Sequence, residues 1–145
     1  MQVRQILRTK GGDVIWISSE ATLSEAARLL ARKRIGAVVV RDAKGSLAGI
    51  LSERDVVRAV ATDSVSALCR SVGAYMTRAV ATCTEHDTVD ELMEMMTHGR
   101  FRHVPVLDEA EELIGIISIG DVVKTRIEET VREAESLREY IAAAG

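Results

Sequence analysis

Two short stretches of this 145-residue chain carry the same polar pair at the same spacing, Ser52 with Asp55 and Ser118 with Asp121, each pair following a glycine at Gly49 or Gly115. A carboxylate accepts several hydrogen bonds, and a hydroxyl both donates and accepts. Such a pair suits a vicinal diol, in the way the acidic residue of dinucleotide-binding folds holds a ribose. The same spacing is also that of a helix N-cap, where the hydroxyl takes a backbone N–H and the acid answers it. One pair of side chains can serve both ends. The cations nearest these pairs are Arg54, Arg100, Arg102 and His103. A planar guanidinium matches phosphate oxygens better than a mobile ammonium does, so these four are candidate phosphate contacts, with solvated surface charge as the alternative.

Other chemistry is thinly represented. His86 and His98 have no cysteines or carboxylates placed to complete a metal shell, and no metal is expected. Cys69 and Cys83 form no CxxC pair, which favours a reducing, cytoplasmic setting over a disulfide framework. No P-loop and no nucleophile paired with a base is present, so no catalysis and no catalytic cofactor is expected.

The elements that position the two polar pairs come from an internal duplication. With Thr22 laid on Thr88 and no gap, 13 of 39 positions are identical, which identifies two copies of one structural unit. Each copy opens with a capping-box signature, Thr22 with Glu25 and Thr88 with Glu91. Helically spaced apolar residues follow: Leu23, Ala26, Ala27 and Leu30 in one copy, Val89, Leu92, Met93 and Met96 in the other. Then come a β-branched run at Ala37–Val40 or Val104–Val106, a polar turn, and a second strand at Leu47–Leu51 or Leu113–Ile117. A helix begins near Ser52 or Ser118. Short extended segments precede the copies at Val14–Ile17 and Val80–Cys83. The unit is helix, strand, strand, helix, and the fold class is α+β.

The segment Ala61–Ala79 connects the copies, with weak helical character at Ser64–Arg70 and a stretch, Val72–Met76, resembling Val3–Leu7. After the second copy Val123, Ile127, Val131, Ala134, Leu137 and Ile141 form one apolar stripe of a long charged helix, which packs either on its own domain or on a second chain. The expected divisions are 1–70 for the first repeat, 71–127 for the second and 128–145 for a helical extension.

Composition narrows the partners. Nineteen Lys and Arg against 22 Asp and Glu give a formal net charge of −3, and aromatic residues are 3% of the chain, so neither a field nor a stacking surface favours nucleic acid. The most apolar run, Leu113–Ile119, is far shorter than the ~20 residues of a membrane span. Neither nucleic acid nor membrane is an expected partner, and the opening residues lack a signal-peptide core.

Three motifs together resemble the tandem CBS (cystathionine β-synthase-type) domain pair, or Bateman module. They are Gly49-Ile50-Leu51-Ser52-Glu53-Arg54-Asp55 with its counterpart Gly115-Ile116-Ile117-Ser118-Ile119-Gly120-Asp121, Arg102-His103-Val104-Pro105-Val106, and Tyr75-Met76-Thr77. The resemblance covers nearly the whole chain. It implies two repeats related by a pseudo-twofold axis, sheets packed together with helices outside, and adenosine-type ligands in clefts between the repeats. It assigns ribose to Ser52, Asp55, Ser118 and Asp121, and adenine to an apolar slot at Ile17, Val38, Cys83, Val104 and Pro105. It further implies a stand-alone sensor of AMP, ADP, ATP or NAD(H) for signal transduction and energy sensing, a homodimer, and a separate downstream protein. The alternative is a protein-interaction or dimerisation module with vestigial clefts. Two departures stand out: Ala79 where many relatives carry proline, and Gly36-Ala37 in place of the basic pair Arg102-His103. Unequal clefts are therefore expected.

Overall fold

The duplicated stretches fold into duplicated elements. The computed structural model describes residues 1–144. In chain order the elements are α1 (Val3–Lys10), β1 (Trp16–Ser18), α2 (Leu23–Lys33), β2 (Ala37–Arg41), β3 (Leu47–Ser52), α3 (Glu53–Asp63), β4 (Cys83–Thr84), α4 (Val89–Gly99), β5 (His103–Leu107), β6 (Leu113–Ser118) and α5 (Ile119–Ala144). Two short 3-10 helices, Ser64–Cys69 and Val72–Ala74, lie between α3 and β4. The class is α+β, with two three-stranded sheets ordered β1-β2-β3 and β4-β5-β6.

Contacts divide the chain into two units. The first is Asp13–Ala81; the second joins Met1–Gly12 to the chain from Thr82 onward. These contact-defined units divide the chain at other places than the repeat boundaries 1–70 and 71–127, because α1 lies with β4 to β6 and the 72–76 segment with β1 to β3. Within each sheet the first pairing is parallel and the second antiparallel: Trp16 faces Val39 and Val38 faces Leu51 in one, Cys83 faces Val106 and Val104 faces Ile117 in the other.

Local chemistry repeats as closely as topology. Thr22 Oγ1 accepts the Glu25 N–H and Thr88 Oγ1 the Glu91 N–H, both at 3.1 Å, fixing where α2 and α4 begin. Both helices end on an arginine in the left-handed region, Arg34 at φ 55° and Arg100 at φ 56°. The turn between the antiparallel strands is held by one aspartate oxygen, Asp42 Oδ1 taking the N–H groups of Lys44 and Ser46, and Asp108 Oδ1 those of Ala110 and Glu112.

Each unit has its own core. Val38, Val40 and Leu51 are fully buried in the first, and their counterparts Val104, Val106 and Ile117 in the second. Leu23 and Leu30 of α2, like Leu92 and Met96 of α4, close over the sheet; Val72 and Met76 close the first core from the connector as Val3 and Ile6 of α1 close the second. Met93, on the expected apolar stripe of α4, is instead 37% exposed. Residues Val89, Leu92 and Met96 already fill the face toward the sheet. The helix begun at Ser118 continues unbroken through α5, and from Thr130 onward all its described side chains are exposed.

Candidate functional site

Ser52 and Ser118 each end a strand and cap the helix that follows. Ser52 Oγ accepts the Asp55 N–H at 3.2 Å while Asp55 Oδ2 accepts the Ser52 N–H at 2.9 Å. Ser118 and Asp121 reproduce both bonds at 3.2 and 2.9 Å, and the Ser118 hydroxyl adds a third to Asp121 Oδ2 at 3.0 Å. Capping is thus present in both units, and each capped carboxylate leaves the helix start with a fixed orientation.

The antiparallel ladders place one residue beside each serine: Ala37 opposite Ser52 and His103 opposite Ser118. Main-chain bonds tie the preceding residues to the same turns, Glu53 N–H to the Gly36 carbonyl at 2.9 Å and Ile119 N–H to the Arg102 carbonyl at 2.8 Å. The structure therefore brings Arg102 and His103 to the Ser118–Asp121 turn. At the first turn Gly36 and Ala37 occupy those places, so the charge environments differ. Arg54 lies in the first turn of α3, and Arg100 is the C-cap of α4, three residues before β5 begins; both are exposed.

Two further side chains belong to these turns: Lys10, which no sequence motif singles out, and Thr77, the last residue of the Tyr75-Met76-Thr77 motif. Lys10, at the end of α1, donates its ammonium to Asp121 Oδ2 and to the Ile116 carbonyl, both at 2.7 Å. In the first unit the Thr77 hydroxyl lies 3.5 Å from Asp55 Oδ2, brought there by a pair of main-chain bonds between Thr77 and Ile50. Burial raises the Asp121 pKa, but the hydrogen bond from Lys10 and those from Ser118 outweigh it and hold the carboxyl below its ordinary value. Among the described residues Asp55 is the one buried charged residue, with Arg58 at 3.9 Å from its other oxygen. Lys10 could not be found from motif spacing, because it lies outside the duplicated stretch.

The apolar positions assigned to an adenine slot lie on the first and second strands of each sheet. Val38, Val104 and Pro105 are buried, Cys83 is 3% exposed, and Ile17 packs half-buried against the first core. Burial pushes the Cys83 thiol up to about 12, with Asp87 adding to the effect, so it stays protonated and unreactive at neutral pH. Trp16 is half exposed, and the Arg41 guanidinium lies 5.1 Å above its ring. An open depression of about 710 Å³ in the first unit is lined by Ser19, Glu20, Asp42, Met76 and Arg78 among others, and by none of the predicted site residues. Among the described residues no group of three or more His, Cys, Asp or Glu is gathered that could hold a metal, and no helix is long and apolar enough to cross a membrane.

Comparison with known proteins agrees with the geometry. The family model described as the CBS domain matches twice, at residues 3–62 and 72–128. The chain belongs to the CBS-domain family. Its fold is similar to that of a CBS-domain-containing protein from Agrobacterium tumefaciens, with a TM-score of 0.84 and 50% identity over 86% of this chain and 92% of that one. The CBS domain pair of protein MJ0100, crystallised with 5′-methylthioadenosine and S-adenosyl-L-methionine, gives 0.78 and 26% identity over 89% and 98%. A CBS domain protein from Pyrobaculum aerophilum complexed with AMP gives 0.75 and 28% identity over 83% and 89%. CBS pairs related to this chain thus carry adenosine-type ligands, and pairs of this family are in general regulatory.

Proposed function

We propose that this CBS pair is a regulatory module that binds an adenine nucleotide, AMP, ADP, ATP or NAD(H), at its two strand-to-helix turns and carries no reaction of its own. The observation that supports this most directly is the capped carboxylate built twice in register, Asp55 on Ser52 and Asp121 on Ser118. Relatives of the same fold take AMP, 5′-methylthioadenosine or S-adenosylmethionine, and the part common to these ligands is adenosine. In this reading the Ser and Asp side chains take the ribose. Arg102 and His103 take phosphate at the second turn, and Arg54 and Arg100 are the remaining phosphate candidates. The strands carrying Ile17, Val38, Cys83, Val104 and Pro105 present main-chain groups and an apolar edge to adenine.

Signalling requires two states with different affinity for the ligand. The exposed stripe of α5, with Ile127, Leu137 and Ile141 each about 60% exposed, supports a homodimer whose packing changes with occupancy and whose output reaches a separate cytoplasmic protein. The same stripe favours the second reading, a dimerisation module whose turns hold no ligand.

Thermal melting with AMP, ADP, ATP, NAD, NADH and S-adenosylmethionine separates the two. A ligand at a hundred times its Kd adds about 2.7 kcal/mol to the folded state. The sensor reading expects a rise in Tm with adenine ligands, reduced in Asp55→Asn or Asp121→Asn, where the amide still caps the helix but has lost the charge. No rise at millimolar ligand, with dimerisation intact, leaves the interaction module.

A further inference from the structure

The two carboxylates at the capped turns are not equally available. Asp121 Oδ2 accepts three hydrogen bonds, from the Ser118 N–H, the Ser118 hydroxyl and the Lys10 ammonium. An oxygen with two lone pairs has no further capacity. Asp55 Oδ2 has the Ser52 N–H and a long contact to the Thr77 hydroxyl, which can rotate away without leaving a charge behind, and the exposed Arg58 guanidinium near its other oxygen is 3.9 Å away, beyond hydrogen-bond distance. Thr77 occupies at the first turn the side from which Lys10 approaches the second.

A vicinal diol that takes both oxygens of the carboxylate reaches Asp121 Oδ2 only when Lys10 withdraws. Withdrawal by itself separates an ion pair and breaks a charge-assisted hydrogen bond of 2.7 Å, an unfavourable exchange for a neutral hydroxyl. A ligand that also brings an anion changes the exchange. Its phosphate takes the ammonium that its ribose displaces, and the charge stays paired throughout. Arg102, next to His103 beside Ser118, adds positive charge at this turn; Gly36 and Ala37 add none at the other.

Building on the nucleotide reading above, we propose that Lys10 is a specificity-determining residue that closes the Asp121 turn to uncharged adenosines and opens it to adenosines carrying a phosphate, while the Asp55 turn makes no such distinction. Lys10 acts by pairing first with Asp121 and then with the phosphate, and α1 is the arm that carries it.

Calorimetric titration of the full chain with adenosine and with AMP tests this, using Asp55→Asn to leave the Asp121 turn alone. In that background AMP is expected to bind about tenfold or more tighter than adenosine, the value of roughly one charge-assisted hydrogen bond. Adding Lys10→Met should bring the two affinities close to equality, by gain for adenosine and loss for AMP; Lys10→Arg should restore the preference. A purely structural Lys10 would weaken both ligands in parallel, and an unchanged ratio overturns the proposal. So does AMP binding in Asp55→Asn that survives Asp121→Asn, or its absence there while the unsubstituted chain binds. If neither ligand binds the unsubstituted chain or any variant, the nucleotide reading itself falls, a result distinct from an unchanged ratio.

Discussion

Leu7 packs so closely on Gly115 that a β-carbon on the glycine would stand 2.5 Å from the leucine's Cδ2. Met76 stands over Gly49 in the other unit, but there the Thr77 carbonyl approaches as well, held by its bond from the Ile50 N–H. A flexible side-chain end can shift where a hydrogen-bonded carbonyl cannot. Gly49→Ala is therefore expected to cost about 2–3 kcal/mol and Gly115→Ala about 1 kcal/mol, both within the range for overpacked cores. The order, read from urea midpoints, is the test; equal losses would mean the carbonyl is free to move.

The Lys10–Asp121 pair gives a prediction for acid. The folded carboxyl titrates below its ordinary value of 3.8. Ionised Asp121 thus contributes stability that is complete above about pH 4 and is lost as pH falls through 3.8 toward the folded value. Lys10→Met should accordingly be less stable than the unsubstituted chain at pH 6, with the gap narrowing toward pH 3. A gap that is constant with pH would show that the contact contributes packing and no charge pairing.

For the thiols the expectation is asymmetric. Cys69 is exposed and Cys83 buried. A folded chain should react with a disulfide reagent at pH 8 to one equivalent, and to two only after unfolding. Rapid labelling of both would contradict the thiol at about 12 and reopen Cys83 as a redox point.

Much of this architecture was legible because the chain states it twice. The capping boxes, the β-branched runs and the Ser-x-x-Asp turns recur in register, and each led to within a residue or two of where its helix or strand begins. What was not legible depends on contacts distant in sequence. Lys10 and Asp121 are 111 positions apart, no local pattern links them, and α1 lies outside the matched 39 residues. The exposure of Met93 was hidden for a different reason: helical spacing says which residues share a face, but not how wide a face the sheet can cover.

The far end of α5 yields a prediction about mass. An isolated helix of about 15 residues is marginal in water, yet residues 130–144 are helical with every side chain exposed. Burial against a second copy would supply the missing stability. Leu137→Asp with Ile141→Asp should halve the mass measured by sedimentation while both units keep their far-ultraviolet spectrum apart from the last turns of helix. An unchanged mass would take α5 out of the contact.

The placement of α1 with β6 also bears on the order in which the protein can be made. Val3 and Ile6, buried in the second core, leave the ribosome ahead of the strand they rest beside, Leu113–Ser118, which follows more than a hundred residues later. At translation rates of about 5–20 residues per second, that is a wait on the order of ten seconds, during which the first unit, Asp13–Ala81, can complete its sheet. The helix that carries Lys10 is synthesised well before the strand and turn it docks on, so the second carboxylate meets its counter-ion at a late step in assembling its unit.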